Sequence, residues 1–281
     1  MTQLALDGMP ERLYPAAPAR LSTYLDCPRR YRLGYLDRPA PSKGGPWAHT
    51  SVGASVHTAL ARWWGLPRDR RTPAEGGRLL VTCWLGGGFR DADQSGDALQ
   101  RARGQVERYL ADVDPDHEPA GVERTVSVRT RHASLWGRVD RIDDRGASGL
   151  AVVDYKTGRS TPTEDDVRSS LALAVYAAGV ARLLRRACTR VELHHLPSGR
   201  VVGWDHTEAS LAEHLDRADA VAAELSGLDE AHASGLAPER ADAAFPALVA
   251  PRCGWCEVRS SCLPGRAVPA RSPWAGVPAD E

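Results

Sequence analysis

Leu150-Ala151-Val152-Val153-Asp154-Tyr155-Lys156-Thr157-Gly158 is the stretch whose reading decides the fold. An apolar, β-branched run of strand length ends abruptly in a carboxylate, an aromatic, an ammonium and a turn glycine. Side chains alternate along a strand, so Asp154 and Lys156 share a face and Tyr155 points to the other. A carboxylate and an ammonium at the end of a buried strand are costly to hold unless each has work to do. Lys156 is also unusual for this chain: of its 36 Lys and Arg residues, only Lys43 and Lys156 are lysines. An ammonium is a compact charge whose pKa shifts readily, whereas a guanidinium is a rigid fork that stays protonated. Position 156 therefore points to a task suited to lysine alone.

Working outward, Val122–Arg129 and Leu135–Ile142 alternate in the manner of strands. With a turn over residues 143–149 they form an antiparallel meander with the opening stretch. Downstream, Thr163-Glu164-Asp165-Asp166 starts a long helix whose body, Leu171–Leu184, is apolar enough to be buried against the sheet. Two more strands are expected at 189–196 and 200–206, then a polar helix from Glu208 to about Ser226. Upstream, Leu21–Leu33 reads as a helix capped at Ser22 and kinked by Pro28 beside Cys27. Further helices are expected over 51–64, 77–86 and 91–113. Pro10, Pro15 and Pro18 break the first segment. The expected organisation is a flexible arm over 1–20, a single α/β domain over 21–264 and a disordered Pro/Ala-rich tail over 265–281.

Lys plus Arg and Asp plus Glu are equal at 36 each, so no global charge argues for nucleic acid, and a polyanion would need a local patch. No apolar run reaches membrane-spanning length and no secretory signal is evident, which makes the cytoplasm the expected location. There thiols stay reduced, and clustered cysteines read as metal ligands rather than disulfides.

Asp140 ends one strand of the meander and Asp154, fourteen residues on, ends the next. Paired strands can bring such residues together, and two convergent carboxylates with a lysine suit Mg2+ or Mn2+. The plainer reading is a surface salt bridge at a strand end. Cys253, Cys256 and Cys262 form C-x2-C-x5-C, with Cys27 near the other terminus. Thiolates at this spacing serve zinc and iron–sulfur clusters alike. A link from Cys27 to Cys253 closes a loop of more than two hundred residues, for which a disulfide-type estimate gives about 5 kcal/mol. Arg29, Arg30 and Tyr31 lie in an Arg/Tyr-rich segment that either grips a nucleic-acid strand or is simply an Arg-rich helix face. Arg138 and Arg141 flank Asp140, within expected reach of a phosphate backbone. No P-loop is present, so any unwinding of DNA would fall to a helicase or repair partner.

Gly137-Arg138-Val139-Asp140-Arg141-Ile142 followed by Val153-Asp154-Tyr155-Lys156-Thr157-Gly158 resembles the core of the PD-(D/E)xK nucleases, and more narrowly the RecB-family exonucleases and AddB-type nuclease domains. The resemblance implies a restriction-endonuclease-like α/β core: a mixed central sheet flanked by helices, with a helical N-terminal region and a C-terminal cysteine segment. It gives Asp140 and Asp154 the role of metal ligands, Lys156 a catalytic role, and the Tyr155 backbone carbonyl a place as additional ligand. Gly53-Ala54-Ser55-Val56-His57 matches the family's upstream G-x-x-x-H pattern, which makes His57 a metal ligand, and Glu123 stands where relatives often carry an acidic residue. Cys27 with the C-terminal triplet is similar to the four-cysteine [4Fe–4S] staple of AddB-type and CRISPR-associated relatives, with structural Zn2+ as the alternative. One departure stands out. Relatives carry a Gln before the helix tyrosine, but residues 168–175 preceding Tyr176 contain none. The implied activity is metal-dependent exonucleolytic hydrolysis of DNA, acting on single-stranded ends in recombination or repair. The alternative is a catalytically weak DNA-end-binding or scaffold module that keeps the fold and the cluster.

Overall fold

A computed structural model describes residues 13–276. The chain runs β1 (Tyr14–Ala16), α1 (Pro18–Asp26), α2 (Pro28–Tyr31), α3 (Ala48–Trp64), α4 (Pro73–Thr82), α5 (Ala92–Ala111), β2 (Gly121–Arg129), β3 (Ala133–Asp144), β4 (Leu150–Lys156), α6 (Glu164–Arg168), α7 (Leu171–Leu184), β5 (Cys188–His195), β6 (Arg200–Asp205), α8 (Glu208–Ala233), α9 (Pro238–Ala244) and α10 (Leu263–Arg266). This is the mixed α/β architecture expected from the sequence.

Strand β3 is the spine of the sheet. β2 pairs antiparallel along one of its edges, from Gly121 opposite Ile142 to Arg129 opposite Ser134. The other edge is shared: β1 lies parallel to its start, Tyr14 opposite Ala133, and β4 antiparallel to its end, Leu150 opposite Asp144. A strand of twelve residues is long enough to host both neighbours end to end, with a gap between them. β5 adds parallel to β4, and β6 antiparallel to β5. Helices α6 and α7 fill the crossover that a parallel β4–β5 pair requires.

Both faces of the sheet are covered. Val153 and Tyr155 pack with Leu60, Trp63, Val106 and Leu110 from α3 and α5. On the opposite face Val126, Val139, Val152 and Leu193 meet α7. α7 approaches closely because Gly179 has no side chain: a Cβ there would lie 2.9 Å from Val126 Cγ2 and 3.0 Å from Val126 Cβ.

Three expectations are corrected. The long helix from Thr163 is two, because Ser170 caps a fresh start by accepting the Leu173 N–H. The expected arm over 1–20 is structured from Tyr14 onward, and residues 1–12 lie outside the described chain. The Tyr14 phenol reaches Asp229 Oδ2 at 2.7 Å and Tyr31 Oη at 2.8 Å, and Arg20 joins the same aspartate, so β1 and α1 are tied to α8. The tail expected to be disordered from 265 instead packs through residue 276. Arg271 N–H donates to Gly254 O at 2.7 Å and Ala48 N–H to Pro273 O at 3.1 Å, while residues 277–281 lie outside the description.

Gly179→Ala poses two effects of opposite sign. Alanine favours a helix over glycine by about 1 kcal/mol, but overpacking a tight core costs about 1–3 kcal/mol. Val126 is β-branched and fixed on β2, so it yields little. The expected outcome is a lower urea midpoint for Gly179→Ala despite its better helix former.

Candidate active site

The pairing of β3 with β4 ends at Arg141 opposite Val153. The next residues in register, Asp140 and Asp154, stand where the two strands part. The Tyr155 N–H, left without a strand carbonyl, donates to Asp140 Oδ2 at 2.9 Å. A carboxylate thus replaces one rung of the ladder and is fixed in place by doing so. On the far edge of β3, Glu123 is opposite Asp140 at the one step where the β2–β3 ladder lapses. Its φ of 50° is left-handed, uncommon outside glycine, and turns Glu123 toward the fork.

Helix α3 brings the fourth group. His57 Nδ1 lies 3.2 Å from Asp140 Oδ1, and Nε2 donates to Tyr155 O at 3.1 Å. Gly53, one turn earlier on the same helix face, allows this approach: a Cβ there would already be 3.3 Å from Thr157 Oγ1. His57, Glu123 and Asp140 present one ligand atom each within 4.8 Å of one another. His57 and Glu123 open into a cleft of about 630 Å3 also lined by Arg138. Asp154 faces Lys156, whose Nζ lies 2.6 Å from the buried Oδ2 and pairs with it. Lys156 itself is exposed, although its backbone is still paired with His195 of β5.

Electrostatics fit that geometry. Burial raises the Asp154 carboxyl, with the Lys156 charge opposing and Asp140 reinforcing. Burial likewise raises Glu123. For His57, burial lowers the pKa, but the hydrogen bond to Asp140 and the charges of Asp140, Asp154 and Glu123 outweigh it and raise it overall. Three neighbouring carboxylates beside an imidazole are a donor set that suits a hard divalent cation.

The back of the fork is wired tightly, and the sequence reading missed this. Arg141 grips Asp143 with two hydrogen bonds at 2.8 and 2.9 Å, and both are buried. Its Nη1 donates to Tyr109 Oη at 3.0 Å and Tyr155 Oη at 3.1 Å, and Trp64 Nε1 also donates to Tyr155 Oη. Tyr109 and His194 Nδ1 are 2.9 Å apart, and His194 Nε2 donates to Glu192 at 3.0 Å. Burial alone would raise Glu192. Hydrogen bonds from His194 and Arg190 outweigh it and hold the carboxyl down to about 2. Beside Lys156, buried His195 donates from Nε2 to Gly158 O at 2.7 Å, so its Nδ1 accepts from Ser198 and the turn after the lysine is fixed.

The structure withdraws three of the expected DNA contacts. Arg29 is buried with its Nε on Phe245 O and its Nη2 beside Asp242. Tyr31 is fully buried in the Tyr14–Asp229 knot. Arg141 points into the core, and its spacing of three from Arg138 already prevents the two from sharing a face of a regular strand. Arg30 is half-buried and paired with Glu257. Arg138 is exposed at the cleft and ion-paired to Glu123 at 2.7 Å. Tyr176 lies flat on Gly137, where a Cβ would be 2.3 Å from its ring, and burial followed by Asp154 and Asp140 raises its phenol.

Cys27, at the kink between α1 and α2, and Cys253, Cys256 and Cys262 line one small cavity. All four are unpaired thiols. Among the described residues the trio of His, Cys, Asp or Glu atoms converging within 4.8 Å is His57, Glu123 and Asp140.

The profile of the PD-(D/E)XK nuclease superfamily matches residues 15–263. Among solved structures, a "putative exonuclease" from Eubacterium rectale aligns at TM-score 0.46 and 10% identity, covering 73% of this chain and 77% of that one. The protein SSO0001 aligns at TM-score 0.31 and 12% identity, covering 74% and 76%. No curated protein matches the sequence.

Removing one partner of the buried Arg141–Asp143 pair leaves a charge uncompensated, which costs about 3–5 kcal/mol. Arg141→Met is expected to lose that much stability in urea unfolding, and Arg141→Met with Asp143→Leu to recover most of it. Equal loss in the single and double variants would show that the pair is not what matters.

Proposed function

Because the chain belongs to the PD-(D/E)XK nuclease superfamily, we propose that it is a metal-dependent DNA exonuclease of the RecB type, acting on single-stranded ends in recombination or repair. The observation that carries this reading is the fork between β3 and β4. His57, Glu123 and Asp140 bring ligand atoms within 4.8 Å of one another there, and Asp154, next in register opposite Asp140, is paired with Lys156. Asp140, Asp154, His57 and the Tyr155 carbonyl would hold Mg2+ or Mn2+, with Glu123 as a further ligand. When bound, the ion supplies positive charge beside the scissile phosphate.

The rest falls to side chains. The Lys156 ammonium is exposed and tethered by Asp154, so it can orient the attacking water and neutralise charge developing on the phosphate. His57 is held at both ring nitrogens and keeps Asp140 from rotating out of the fork. Tyr176, lying beside Asp154 and Asp140, borders the place where the phosphate would sit. Arg138 is exposed at the cleft and can turn from half-buried Glu123 toward a phosphate. Superfamily membership implies DNA as substrate. Among the described residues no helix is long and apolar enough to cross a membrane. A cytoplasmic location and a helicase or repair partner are part of the proposal.

The test is degradation of labelled single-stranded DNA by anaerobically purified protein with Mg2+ or Mn2+. Lys156→Ala is expected to lower the rate about 10²–10³-fold, the range for removing one preorganised electrostatic stabiliser, while leaving DNA bound. A wild type that binds DNA but cuts no faster than Lys156→Ala would instead be an end-binding scaffold, and the missing Gln before Tyr176 would explain it.

We also propose that Cys27, Cys253, Cys256 and Cys262 hold a [4Fe–4S] cluster. Support comes from their shared cavity and from the C-x2-C-x5-C spacing that Cys27 completes. The purified protein should be brown and carry iron and sulfide in matching amounts, and Cys27→Ala should bleach it. A colourless protein carrying zinc would overturn the assignment.

A further inference from the structure

Beside the fork, on the other side of the first turns of α3, lies a second groove of about 610 Å3. Its walls are apolar and aromatic: Trp47 and Trp255 face it, with Val52, Ala98, Ala102 and Pro197. Resting on the nuclease reading above, we propose that this groove is a base-stacking subsite for single-stranded DNA, with Arg159 as its phosphate contact.

Three observations carry the proposal. The first is charge. The chain has as many acidic as basic residues, yet no described residue lining the groove is a carboxylate, while Arg101 and Arg159 both line it. Arg159 is exposed, and its side chain makes no ion pair or hydrogen bond among the described residues, so it can meet a phosphate without surrendering a partner. The second is chemistry. Trp255 is 44% exposed on a turn of the cysteine segment, with the Arg271 guanidinium 4.8 Å from its ring centroid. Trp47 stands at the start of α3, its ring 6.0 Å from that of exposed His49. Indole faces bordering a concave pocket receive an unpaired base, whose π-face every nucleotide supplies; a base in a duplex is already stacked and paired.

The third observation is position. Thr157 and Gly158 line the groove and follow Lys156 directly in the chain. The helix that supplies His57 begins at the groove, and Gly53 lets it pass close to Thr157. A nucleotide seated in this groove therefore lies beside the turn that follows Lys156, next to the proposed scissile bond. Trp255 precedes Cys256, so the cysteine segment would position a wall of this subsite as well as close the fold.

The test uses the full-length protein and measures binding without divalent metal, so that no cleavage occurs. A short oligothymidylate should quench tryptophan fluorescence. A matching abasic strand should bind about tenfold more weakly, as should duplex of equal length; tenfold corresponds to ~1.4 kcal/mol, within the range of about 1–3 for one stacked base. Trp47→Ala and Trp255→Ala, checked for native circular dichroism, should each lose about tenfold for oligothymidylate and little for the abasic strand. Arg159→Ala should weaken both and reduce the salt slope by about one released ion. Equal affinity of the wild type for oligothymidylate and abasic strand would overturn the proposal without recourse to any variant. So would folded tryptophan variants that bind as the wild type does. Because cleavage plays no part in these measurements, failure of the nuclease reading would appear separately, as tight base-dependent binding with no metal-dependent degradation.

Discussion

Asp140 accepts the Tyr155 N–H at the point where β3 and β4 stop pairing, and the rest of the site depends on that bond. A strand end that peels away normally gives its backbone groups to water. Here a carboxylate takes the N–H, so the strands can part without leaving an unsatisfied donor, and Asp140 and Asp154 are left facing one space. The same bond orients the second Asp140 oxygen toward His57, and His57 in turn holds the Tyr155 carbonyl. Each group is fixed by another, and the fork is rigid before any ligand arrives.

The two sides of the fork are held by opposite means. In front, carboxylates crowd together, burial raises the Asp154 and Glu123 carboxyls, and Glu123 sits in a strained backbone conformation. Behind, hydrogen bonds run in one direction from Arg141 through Tyr109 and His194 to Glu192, and each buried donor meets an acceptor. Tyr155 belongs to both sides, with its backbone in the front and its phenol in the back. A front of crowded carboxylates is unfavourable by itself, and the back supplies the fixed geometry against which it can be maintained.

The ends of the chain complete the surroundings of the fork. β1 and α1 are tied to α8 through Tyr14, Arg20, Tyr31 and Asp229, and the cysteine segment folds back onto the kink at Cys27. Arg252 reaches Asp26 O, and the strand beyond α10 hydrogen-bonds to the first turn of α3. The returning C-terminal segment thus borders the start of the helix that carries His57 and lines the groove beside it.

Much of this was legible in the sequence, and the boundary has a physical basis. Period-two alternation gave the meander, a continuous apolar run gave α7, and the D-x-K ending with its upstream aspartate and G-x-x-x-H pointed to residues that come together in space. Such features are local: they depend on a few neighbouring side chains and on spacings that backbone geometry converts directly into direction. Arg29, Tyr31 and Arg141 could not be read the same way, because an arginine or tyrosine looks identical in sequence whether it faces water or a buried carboxylate. Only the packing of α8, α9 and the α5 face of the sheet assigned those partners. The same holds for Trp47 and Trp255, which are 208 residues apart and share a groove only because the last segment of the chain returns to the start of α3. The sequence by itself determined the elements and the chemistry at one strand end; the tertiary structure decided which charges are buried and which surfaces meet, since burial depends on residues brought close from anywhere in the chain.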